Sequence, residues 1–138
     1  MSTEEENKTP ATCSIALWLT VRNSAEAAEF YKEAFGAVEV FRLGGQGEDV
    51  IARLSVDGAE FWVGDESPKH FNFSPESLGG SSVRIIFTVA DPDAVFAKAI
   101  KAGASQVYRV HDEHGWRLGR VVDPYGHHWE IGRPLAAE

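Results

Sequence analysis

One block of this chain occurs twice, and any fold must accommodate both copies. Leu19-Thr20-Val21 returns as Phe87-Thr88-Val89, and Asn23 returns as Asp91, at an offset of 68. Gly36-Ala37 returns as Gly103-Ala104 and Val40-Phe41-Arg42 as Val107-Tyr108-Arg109, now at 67. Gly58 and Gly126 restore the offset of 68. Internal repetition of this kind means one supersecondary unit used twice.

The unit can be read from its first copy. Residues 15–21 alternate, with Ile15, Leu17, Leu19 and Val21 on one face and Ala16, Trp18 and Thr20 on the other, which is a strand. Asn23 is a helix N-cap with Glu26 three residues on, in the spacing of a capping box. Ala27, Phe30, Tyr31, Ala34 and Phe35 form an apolar stripe at helical spacing, and Gly36 supplies the left-handed residue that ends it. Strands follow over 38–43, 50–56 and 60–63, joined by Gly44-Gly45-Gln46-Gly47 and by Asp57-Gly58, both hairpin chemistry. The second copy places a strand over 83–89, a helix capped by Asp91 with Pro92 in its first turn, and strands over 106–110, 117–122 and 127–131. Phe30 and Phe96 are expected to be buried against the sheets of their own units.

The expected fold is therefore α+β: two tandem βαβββ modules with curved, mostly antiparallel sheets forming a concave cavity. Residues 14–64 and 82–134 are the modules. Residues 65–81, rich in Ser, Pro and Gly, read as a connector, 1–13 as a disordered acidic tail and 135–138 as a short tail.

Composition narrows the function classes. Hydrophobic and charged fractions of 43% and 25% are those of a soluble globular domain. No apolar run approaches the roughly 20 residues of a membrane helix, so no membrane partner is expected. A net charge of −8 argues against nucleic acid, which demands a basic stripe. A single cysteine, Cys13, excludes an internal disulfide and fits a cytoplasmic location.

The end of the second module carries the chemistry. Asp123-Pro124-Tyr125-Gly126 is a turn, after which Trp129 and Ile131 face the core while His128 and Glu130 face the other way. His127 reads as a structural turn residue and residues 111–114 as a solvated loop, not a metal cluster. Trp18 and Trp62 lie opposite the core stripe and Trp116 at a hairpin tip. Either they pack the sheet, or they wall a pocket for a flat organic ligand.

Paired βαβββ modules ending in Asp123-Pro124-Tyr125-Gly126-His127 with Trp129-Glu130-Ile131 resemble the vicinal oxygen chelate superfamily, which holds glyoxalase I, bleomycin-resistance proteins and extradiol dioxygenases. The connector Ser74-Pro75-Glu76-Ser77-Leu78-Gly79-Gly80 is similar to its PhnB-like branch. By that resemblance the metal-ligand positions are Ala16, Trp62, Arg84 and Glu130, of which Glu130 alone is a ligand type. Open concave sheets on two modules are best closed by a symmetric partner, so a homodimer with two symmetric cavities is expected. The resemblance to the metal-free bleomycin-resistance type implies that it binds or sequesters a small organic molecule without a cofactor. Its site residues would be Trp18, Trp62, Arg84, Trp116, His128 and Glu130, with no catalytic residue. Arg84 and Glu130 are expected to form an ion pair. The alternative is a metal-dependent lyase or isomerase of glyoxalase type, or a related dioxygenase, with Glu130, His128 and Glu60 as ligands to a divalent metal. In that case a register slip of two would bring Glu60 to the place of Trp62.

Overall fold

Two successive four-stranded sheets, each with one helix laid on it, are built from the two copies of the repeat. The computed structural model describes residues 12–45 and 49–136; the tail up to residue 11, residues 46–48 of the first hairpin and residues 137–138 lie outside it. In the first module β1 (Leu17–Val21) leads to α1 (Ser24–Phe35), then β2 (Val38–Leu43), β3 (Ile51–Val56) and β4 (Ala59–Asp65). After a short helix α2 (Pro75–Leu78), the second module runs β5 (Arg84–Thr88), α3 (Pro92–Ala102), β6 (Ser105–Glu113), β7 (Trp116–Val122) and β8 (His128–Pro134). The sheet orders are β1-β4-β3-β2 and β5-β8-β7-β6, which is one topology used twice. The pairs β1–β4 and β5–β8 are parallel and the rest antiparallel.

The drift in the repeat offset has a local cause. α1 has 12 residues and α3 has 11, which takes the offset from 68 to 67. The β3–β4 hairpin pairs Val56 with Ala59, whereas the equivalent turn closes with the Asp123 N–H donating to the His127 carbonyl, one residue longer, and 68 returns. Each helix starts as read. The Asn23 side chain accepts from the Glu26 N–H and that of Asp91 from the Ala94 N–H, satisfying amides the first turn leaves unpaired. Gly36, at φ 72°, ends α1 in a conformation that costs a side-chain-bearing residue energy. Even the bulge is repeated, between Glu39 and Phe41 in β2 and between Gln106 and Tyr108 in β6.

Several boundaries differ from expectation. Residues 111–113 belong to β6 and do not form a solvated loop; His111 sits opposite Leu118 and only His114 and Gly115 turn. A β-strand longer than its apolar run is possible here because β7 supplies every pairing partner. The connector contains a 3-10 turn (Pro68–His70) and α2, and its first residue, Asp65, ends β4 and accepts from the Ser24 N–H at the start of α1.

Both modules bury the helix-facing side of their sheets in one shared core. Trp129, on the helix-facing side of β8, lies 4.6 Å from the Phe35 ring of α1 and 5.5 Å from that of Phe61 in β4. Phe35 also meets Phe87 of β5. Phe96 packs on its own sheet, close over Gly119. Phe30, expected to do the same, instead turns toward the other module, against Tyr125 and Gly103. The helix stripe is wide enough to serve two surfaces, and the periodicity alone does not say which residue serves which.

Candidate functional site

Because the helix-facing sides share a core, the opposite faces of the two sheets look outward. Pairing sets their contents position by position. On the first sheet Trp18 is opposite Trp62 in the parallel β1–β4 register, and Arg53 is opposite Trp62 in β3–β4. On the second, Ile86 is opposite Glu130 and Arg120 is opposite Glu130. Trp18 thus corresponds to Ile86, Trp62 to Glu130, Arg53 to Arg120 and Phe41 to Tyr108. The same scaffold presents an aromatic face in the first module and a charged one in the second.

The indoles of Trp18 and Trp62 are nearly parallel, at 13° with centroids 5.9 Å apart, and Trp18 is 47% exposed. Phe41 stands edge-on to Trp62, and the Arg53 guanidinium lies over the Trp62 ring at 5.3 Å. Such a cation over an indole is held by the ring quadrupole. Gly64 is what lets Trp18 lie flat, because a Cβ there would sit 2.5 Å from Cζ2 of the indole.

On the second sheet, Arg84, Ile86, Trp116, Leu118, Glu130 and Gly132 line a cavity of about 250 Å³. Arg84 Nε stands 3.0 Å from Glu130 Oε1, the ion pair expected from the repeat. The approach is off the axis of a hydrogen bond, so that buried oxygen accepts none. Arg120 Nε lies 3.3 Å from His128 Nδ1. Burial first, and then the Arg120 guanidinium, push the His128 pKa below the ordinary imidazole value. The phenol of Tyr108 is raised by burial and by the charge of Glu130. Two guanidinium groups therefore flank one carboxylate on this face.

Within one chain the six expected site residues do not converge on one cavity. Arg84, Trp116 and Glu130 share the cavity on the second sheet. His128 is on the same face beside Arg120, and Trp18 and Trp62 are on the other sheet. The residues that sequence reasoning passed over are Ile86, Leu118, Arg53, Arg120, Tyr108 and Gly64. Strand alternation combined with the repeat offset would have found most of them.

His127 does hold structure, as its place in the turn suggested: its Nε2 lies 2.9 Å from the carbonyl of Thr20 in the other module. Asp123 is 3% exposed and accepts from the backbone N–H groups of Tyr125 and His127 and from the Trp129 indole at 2.9 Å. It also accepts from the Tyr31 hydroxyl of α1. Burial, and then the Asp123 carboxylate, raise the Tyr31 pKa well above the phenol range. The Asp-Pro turn is thus a bolt between modules.

The four positions that the resemblance gives for metal ligands hold Ala16, Trp62, Arg84 and Glu130. Trp62 is fixed by its pairing with Trp18, so the register slip that would substitute Glu60 is not adopted. One carboxylate facing a guanidinium does not fit a divalent cation. Among the described residues no three His, Cys, Asp or Glu side chains are grouped to hold a metal ion.

The fold and these two faces define a protein of the vicinal oxygen chelate class, built on paired βαβββ modules. Within it the chain belongs to the glyoxalase-like family, whose domain model matches residues 16–132. Uncharacterized protein Mb0911c of Mycobacterium bovis is 41% identical over 122 residues, 85% of this chain and 80% of that one. The crystal structure of the Arabidopsis thaliana At5g48480 gene product is similar at 31% identity and TM-score 0.71, covering 89% of this chain and all of that one. TioX from Micromonospora sp. ML1 is similar at 25% identity and TM-score 0.70, covering 89% of this chain and 99% of the other. Among the described residues no helix is long and apolar enough to cross a membrane.

Proposed function

We propose that this protein binds or sequesters a small, flat organic molecule in an aromatic-lined cavity, without a metal. The observation that carries the reading is the Trp18–Trp62 pair, two parallel indoles standing on an open sheet face outside the aromatic core. Stacked, half-exposed tryptophans are a large apolar surface left uncovered, and a planar ligand is the chemistry that covers it. Arg84 and Glu130 supply the orienting polar groups beside Trp116. The Arg84 guanidinium 3.0 Å from Glu130 supports the metal-free form, since a divalent cation there would meet a like charge.

The reading includes a cytoplasmic homodimer with two symmetric cavities. In it the aromatic face of one copy closes over the charged face of the other, so that all six residues meet. Complementarity of the two faces supports this: one is rich in aromatic surface and poor in charge partners, the other the reverse.

The test is tryptophan fluorescence during titration with a panel of planar aromatic compounds, on protein purified without added metal or chelator and analysed for its elements. Saturable quenching that is lost in Trp18→Ala and Trp62→Ala, with no stoichiometric Zn, Ni, Fe or Mn, is the expected outcome. Stoichiometric metal lost in Glu130→Gln would overturn the reading.

A further inference from the structure

Of the side chains lining the cavity on the second sheet, those of Arg84, Trp116 and Glu130 are polar. A guanidinium and an indole N–H only donate hydrogen bonds. Glu130 is the acceptor, and it is already engaged. Its side chain is 14% exposed, Oε1 is sealed from solvent, and Arg84 Nε stands 3.0 Å from that oxygen. Arg84 keeps donors in reserve. Its side chain is 52% exposed, its closest approach to Glu130 is through Nε, and its terminal N–H groups make no hydrogen bond among the described residues.

Charge on this face is uneven in the same direction. Arg84 of β5 and Arg120 of β7 stand on either side of Glu130 in β8, so two positive charges meet one negative. His128 does not alter that balance. Arg120 Nε–H donates to its Nδ1 at 3.3 Å, which leaves the imidazole neutral with its proton on Nε2. The surplus occurs in a chain of net charge −8, where Arg22, Arg42 and Arg117 are taken up by Glu66, Glu39 and Asp93.

Resting on the reading of this cavity as a ligand site, we infer that its ligand is an aromatic carboxylate, with the carboxylate on the terminal N–H groups of Arg84 and the ring over Ile86 and Leu118 beside Trp116. An anion brings what the cavity lacks, acceptors and negative charge. The coplanar N–H groups of a guanidinium match the two oxygens of a carboxylate. A cationic ligand would meet the surplus positive charge, and a neutral one would leave it uncompensated under an apolar cover. Glu130 then acts from behind the ligand as a positioning residue, holding Arg84 by Nε. The volume of about 250 Å³ lies just under the roughly 300–1,000 Å³ of sites for drug-sized molecules, which suits a small fused-ring acid.

The experiment compares 2-naphthoate with 2-naphthamide, which keeps the ring and a carbonyl but carries no charge. Affinities for the purified full-length protein are read by calorimetry at neutral pH. The parent protein is expected to bind the acid about tenfold or more tighter than the amide. Arg84→Gln should bring the acid down to the affinity of the amide while leaving the amide unchanged. Equal affinities on the parent protein overturn this inference and leave the aromatic-cavity reading standing. A preference for the acid that persists in Arg84→Gln also overturns it, since the anion is then held elsewhere. Failure of both probes to bind up to their solubility limits overturns the inference and the cavity reading together. If the variant does not fold, the comparison of the two probes on the parent protein still decides.

Discussion

Asp123 and Gly64 show how much a single side chain, or its absence, can fix. Asp123 is read from sequence as part of a turn, but its carboxylate ties that turn to Trp129 of its own module and Tyr31 of the other. Removing it leaves several buried donors unpaired, each costing about 1–3 kcal/mol. Asp123→Ala should therefore lose at least about 3 kcal/mol in urea unfolding, and a loss below about 1 kcal/mol would mean that water replaces the carboxylate. Gly64 acts by leaving space. Its backbone is compatible with alanine, and the indole that an alanine Cβ would strike is half exposed and free to swing. Gly64→Ala is expected to fold normally but to lose the coupled circular-dichroism band of the stacked indoles. An unchanged band would show that Trp18 does not depend on Gly64.

At the scale of elements, helix and sheet are held in register by charges that periodicity does not reveal. Glu39 of β2 takes two bonds from Arg42 at 2.9 Å each and lies 3.1 Å from Lys32 of α1. Arg42 first, and then Lys32, hold its carboxyl down at about 2. A carboxyl lowered on folding adds stability that is full above its unfolded value, near 4.5, and is lost as pH falls toward 2. Glu39→Gln should accordingly be less stable than the parent at pH 7, with the difference shrinking between about pH 4.5 and 2. A difference independent of pH would assign the effect to packing. The repeat itself was readable at this scale, including the drop of its offset from 68 to 67 and the return to 68. The extension of β6 through residues 111–113 was not, because it depends on a partner strand and not on its own alternation.

For the whole molecule, the outward faces matter most. Trp18, Phe41 and Ile86 are each more than a third exposed on them, which is unusual for large apolar groups in a folded chain left alone. Closure by a symmetric partner would cover both faces at once, since a two-fold axis uses each contact twice. Light scattering should give about twice the 15.1 kDa chain mass. A monomer at micromolar concentration would remove the shared cavity and require each face to bind independently.

Sequence determined the modules, their strand–helix order and the side of each strand that enters the core, because these follow from short-range periodicity and a repeat that is local in character. The pairing of Glu130 with Arg84 was expected from the resemblance and the repeat offset, and the parallel β5–β8 register realises it. Tertiary structure alone decided that the helix-facing sides share one core, that Phe30 crosses to the other module, and that the two tryptophans and the Arg84–Glu130 pair occupy separate faces. Those outcomes depend on how two similar modules pack against each other. Amphipathic faces of equal apolarity leave that choice open, and long-range contacts such as Tyr31–Asp123 and His127–Thr20 settle it.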